Sequence, residues 1–111
     1  MLYKFKSKIT GDVIMLEPNG RRVLEIIGKD TSSASAGKGI IEPDQIPAAI
    51  AALQAAVARE EADKKAAIAA ALASNEPAPQ FDAISLRQRA MPFIDMLRRC
   101  EQAGVEVVWG V

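Results

Sequence analysis

From Asp44 to Ser74 the chain is roughly half alanine, with one proline, at position 47, and no glycine. Alanine is the strongest helix former because it loses no side-chain entropy in a helix, and proline is tolerated in a first turn. The stretch predicts a single helix of about thirty residues with Asp44 as its cap. At 1.5 Å per residue it would measure about 45 Å, against about 33 Å for the diameter of a compact hundred-residue domain. Part of it must project, fray or meet another chain.

Within this helix Ile46, Ile50, Leu53 and Val57 recur in steps of four, three and four, an apolar stripe about three turns long. Glu60, Glu61, Asp63, Lys64 and Lys65 then interrupt it, with Glu60–Lys64 and Glu61–Lys65 in the favourable i,i+4 order, and beyond them only Ile68 and Leu72 are large. The expectation is a docked first half and a projecting helical extension over 60–74.

At the start of the chain Tyr3, Phe5, Ser7 and Ile9 fall on one side of a strand and Lys4, Lys6 and Lys8 on the other, which predicts a sheet with one wet face. Residues 13–27 have two readings. Asn19-Gly20 is a strong hairpin signal and would join strands Val13–Glu17 and Arg21–Ile27. Against it, Val23, Leu24 and Ile27 have helical spacing, Pro18 suits a first turn and Gly28 stands where a helix C-terminal glycine belongs; a helix from Pro18 to Ile27 is the favoured reading. Residues 29–43 read as a small, polar loop. Its Gly37-Lys38 lacks the earlier glycine and the following Ser or Thr of a phosphate-binding loop.

Pro77 and Pro79 break the chain, so 75–83 is a second loop. Ser85 with Gln88 then forms a capping box, and Leu86, Ala90, Phe93, Leu97 and Cys100 make a core-facing helical stripe that Pro92 should kink or restart. Gly104 ends the helix, and Val105 to Val111 closes the chain as a strand with Trp109 on its apolar face. Two end strands can pair and receive the helices on their apolar side. The fold class is α+β: one domain over 1–111, with a small two- or three-stranded sheet, built on the first and last strands and covered on one face by three helices. Glu106 would join the lysines on the wet face.

The run Ser85-Leu86-Arg87-Gln88-Arg89-Ala90-Met91-Pro92-Phe93-Ile94-Asp95-Met96-Leu97, the opening Leu2 to Lys8, the segment Pro47 to Leu53 and the closing Val107-Val108-Trp109-Gly110-Val111 carry a resemblance. The chain resembles the small proteobacterial proteins grouped as domain of unknown function eighteen-forty. The resemblance implies a soluble bacterial protein, and brings no activity, cofactor or catalytic residue with it.

Composition bounds the chemistry. Fourteen basic and fourteen acidic residues cancel, which disfavours a dedicated nucleic-acid binder or a polybasic membrane protein. There is no histidine, the commonest general base and metal ligand, and the one cysteine, Cys100, lies on the core stripe as an inert thiol. A lone thiol fits a reducing, cytoplasmic setting, and no apolar run is long enough for a membrane span. No catalytic constellation, cofactor site or metal site is expected. Arg21, Arg22, Arg87, Arg89 and Trp109 are the candidate contacts for an anion or a partner. The favoured reading is that the arginines pair with nearby acids: Arg21 with Glu25, Arg98 with Glu101 or Glu106, Arg89 with Asp82 or Asp95. The expected function is a non-catalytic interaction or oligomerising protein, its partner a second copy in a homodimer or another protein. Anion or nucleic-acid binding through the arginines is the alternative.

Overall fold

The structure, a computed structural model, describes residues 2–29, 39–81 and 84–110. Across these the chain runs β1 (Leu2–Lys6), β2 (Val13–Leu16), α1 (Glu17–Ile26), β3 (Gly39–Ile41), a 3-10 turn (Pro43–Gln45), α2 (Ile46–Ala73), α3 (Leu86–Ala103) and β4 (Val107–Trp109). The first and last strands pair as their matching apolar faces require, with Phe5 opposite Trp109 and Lys6 opposite Val108. The sheet has four strands in the order β2-β1-β4-β3, antiparallel at every joint, rather than the two or three expected.

The extra strand, β3, lies inside the stretch read as loop 29–43. Three residues, Gly-Ile-Ile, carry too little local signal for a strand, and it is pairing with β4 that creates one. Gly39 is required there because the Trp109 indole lies over it: a Cβ at 39 would sit 2.5 Å from Trp109 Cζ2. The remnant of a phosphate-loop pattern at Gly37-Lys38 lies outside the described residues.

Residues 13–27 resolve as strand then helix. Asn19-Gly20, the hairpin signal, is helix interior, and Gly20 serves a different end: a Cβ there would come within 2.6 Å of Tyr3 Cγ, so its absence lets α1 lie close on β1. Gly28, at φ 87°, closes the helix, with its N–H bonded to the Glu25 carbonyl (3.0 Å) and Lys29 N–H to that of Leu24 (2.8 Å).

Helix α2 starts at Ile46, and Asp44 is not its cap but part of the 3-10 turn, where Gln45 accepts from Glu42 N–H (3.1 Å). It ends where Asn75 turns left-handed (φ 56°) and Glu76 N–H reaches the Ala71 carbonyl (2.8 Å). In α3 the Ser85–Gln88 box forms as the spacing predicts, and Gly104 (φ 69°) terminates it. Pro92 does not restart the helix. It stands on the exposed side, where the Gln88 carbonyl that loses its bond is open to water.

The core fills the space between one face of the sheet and the helices. Phe5 is its centre, 4.5 Å from Phe93, 5.8 Å from Trp109 and 6.3 Å from Tyr3 between ring centroids, and Val23 and Leu24 of α1, the Ile46–Val57 stripe of α2 and the α3 stripe close over it. Cys100 is fully buried, its Sγ 3.1 Å from Ser7 Oγ. The molecule measures 52 × 30 × 21 Å, and the 28-residue α2 accounts for the long axis. Among the described residues no helix is long and apolar enough to cross a membrane.

Candidate functional site

Three helices converge on one carboxylate. Glu60 stands three residues beyond Val57, so the turn of α2 carries its side chain to the end of the docked stripe, where α1 and the start of α3 meet it. Its carboxylate accepts from Arg22 Nη2 of α1 (2.9 Å), Lys64 Nζ of α2 (2.9 Å) and the Leu86 N–H of α3 (3.1 Å). The Lys64 hydrogen bond is the largest influence on its pKa, desolvation opposes it, and the Leu86 and Arg22 bonds add to the lowering; the result is about 2 against an ordinary 4.5.

Beside Glu60 runs a groove of about 590 Å³ with apolar walls from Ile26, Ala56, Ala67, Phe81 and Leu86 and a charged rim from Arg22, Arg59, Asp63 and Lys64. Lys64 Nζ lies 5.5 Å from the Phe81 ring centroid. A smaller recess of about 180 Å³ adjoins it, lined in part by Asn19, Arg22, Ile84 and Arg89. Arginine and lysine around a helix N-terminus have the form of an anion site. Here Glu60 is the anion, so the arrangement ties the three helices and its best donors are already used.

The candidate arginines divide. Arg22 and Arg89 line the same recess. Arg21 pairs with Glu17 one turn earlier (3.0 Å). Arg87 leaves the cluster and forks onto Glu61, Nε to Oε1 and Nη2 to Oε2 (3.2 Å), which holds the Glu61 carboxyl below its ordinary range. Glu61 thus meets Arg87 across the α2–α3 junction, where spacing alone pointed to Lys65. Asp95 pairs with Arg99 (3.2 Å), Glu106 with Lys8 (3.6 Å), and Arg89 has no ion pair among the described residues; its expected partner Asp82 lies outside them. Trp109, read as a partner contact, is a core residue, 3% exposed, whose Nε1 has no hydrogen-bond partner among the described residues. Among the described residues no three metal-ligating side chains gather.

A second feature escaped the sequence reading. Cross-strand register puts Leu2 beside Leu16, Lys4 beside Ile14, Lys6 beside Val108 and Val108 beside Ile40, all on the sheet face turned away from the core. Leu2, Ile14, Leu16 and Ile40 are between 42% and 63% exposed there. The face expected to be wet is an apolar strip set with lysines. Its only forewarning is the unbroken apolar run of β2, which reads as a strand buried on both sides.

The fold and these surfaces define a small α+β protein with an antiparallel four-stranded sheet whose outer face the described residues leave open. The chain matches the family described as Domain of unknown function (DUF1840) over residues 1–109 and belongs to it. No curated protein and no solved structure shows significant similarity to it.

Proposed function

We propose that the chain is a non-catalytic interaction protein and that the uncovered sheet face with its β2 edge is the contact surface. The observation that carries this reading is the exposure of Leu2, Ile14, Leu16 and Ile40 on the sheet face turned away from the core. Leu2, Ile14 and Leu16 adjoin one another at the β2 edge, and exposed apolar patches mark association surfaces. The edge supports self-association: Val13-Ile14-Met15-Leu16 holds neither a charge nor a proline, the devices by which exposed edges are kept from pairing. Antiparallel addition of β2 to β2 of a second copy about a two-fold axis would bring Ile14 and Leu16 of both chains together and keep the lysines of β1 one strand away. Direct stacking of two such faces would instead oppose lysine to lysine.

Light scattering at micromolar concentration tests the dimer. The parent should show twice the 11.9 kDa chain mass, and Ile14→Lys, which places a charge beside its own copy, should return a single chain. A parent of 11.9 kDa at every concentration would remove self-association from the reading.

A further inference from the structure

We infer that the uncovered sheet face is a seat for an acidic amphipathic helix of a partner protein. The inference rests on the reading of that face as a contact surface and adds the chemistry of what covers it. Lys4 and Lys6 stand within the apolar strip, beside Ile14 and Val108, and neither has an ion pair among the described residues. Lys6 shares a recess with Glu106, which Lys8 already engages at 3.6 Å. A surface that buries the leucines and isoleucines therefore takes out of water two ammonium groups that have no ion pair among the described residues, which is costly unless the partner brings carboxylates. That requirement sets the charge of the occupant.

Geometry sets its form. The backbone groups between neighbouring strands are spent within the sheet, so an added strand would find no ladder on this face, whereas a helix arrives with its own hydrogen bonds made. Four strands at about 4.8 Å spacing give a face about 14 Å across. That width accepts one helix of about 10–12 Å diameter. Leucine-type side chains along the helix stripe would cover Leu2, Ile14 and Leu16, with flanking Glu or Asp over Lys4 and Lys6. A bilayer would also accept apolar groups and lysines, so vesicles are one arm of the test.

The test uses the ¹⁵N-labelled full chain and two synthetic peptides of roughly five helical turns, one with a leucine stripe flanked by glutamates and a twin with lysines in place of the glutamates. The glutamate peptide should shift amide resonances of β1, β2 and β4, and the lysine twin should not. Lys4→Glu with Lys6→Glu, at one exposed and one half-buried position on the sheet face turned away from the core, should weaken the glutamate peptide about tenfold and admit the twin. Equal binding of both peptides, abolished by Leu16→Lys, would keep the contact surface and overturn the acidic partner. No shift with either peptide would overturn the helix seat, while the oligomeric state measured by light scattering decides the contact-surface reading separately. Binding to phosphatidylserine vesicles without peptide binding would overturn the helix in favour of a lipid surface.

Discussion

Glu60 joins donors from three helices, so its charge matters more than that of a lone surface carboxylate. Glu60→Gln keeps the shape and removes the charge, and should cost about 1–2 kcal/mol near neutral pH, a figure held down by the partial solvation of the site. Its pKa is depressed in the folded state, so the stabilisation is complete above the unfolded value near 4.5 and is lost as pH falls toward about 2. Urea titrations should show the parent's advantage over Glu60→Gln shrinking across that window, and an advantage that stays constant down to the acid end would refute the role given to Glu60. Gly20 makes the converse case. In an open helix Gly→Ala gains about 1 kcal/mol, but here the new methyl meets the Tyr3 ring root, so Gly20→Ala should lose about 1–3 kcal/mol. A denaturation midpoint unchanged or raised by the alanine would show that α1 can retreat from β1 without cost.

At the scale of the element, α2 buries large apolar side chains in its first half and exposes those of its second. Ile46, Ile50, Leu53 and Val57 are buried, and the anchoring continues one turn further through Glu60, Glu61 and Lys64 than the end of the apolar stripe suggests. Beyond that Ile68 and Leu72 face outward, and Leu72 is 75% exposed. Ile50→Asp should unfold the protein, since a buried unpaired carboxylate costs several kcal/mol. Leu72→Asp should shift the thermal midpoint by no more than a surface change does, within about 0.5 kcal/mol. Comparable losses from the two substitutions in a melting experiment would contradict this division of the helix.

For the whole molecule, the described residues place helices on one side of a four-stranded sheet and leave Leu2, Ile14, Leu16 and Ile40 of the other side exposed. If β2 pairs with a second copy, folding and association are linked, and the melting temperature should rise with protein concentration. The parent should show that rise and Ile14→Lys should not. Concentration-independent melting in both would mean that the edge stays single, while leaving the outer sheet face available to a different partner.

What could be read from the sequence alone is what neighbours in sequence decide. Alanine content and the absence of glycine specified α2; Ser85 with Gln88 specified the start of α3, and Gly28 and Gly104 the ends of α1 and α3, because caps and helical stripes are made by residues within a few positions of one another. Alternation at both chain ends was enough to pair β1 with β4. Tertiary structure decided the rest. β3 exists because β4 is beside it, Gly20 belongs to a helix because Tyr3 needs the space, and Glu61 turned from Lys65 to Arg87 because α3 passes within reach. Trp109 went to the core and Ile14 and Leu16 to the outside for the same reason: an apolar side chain is buried only where other elements arrive to cover it, and helices packed on one face of a sheet cannot cover both.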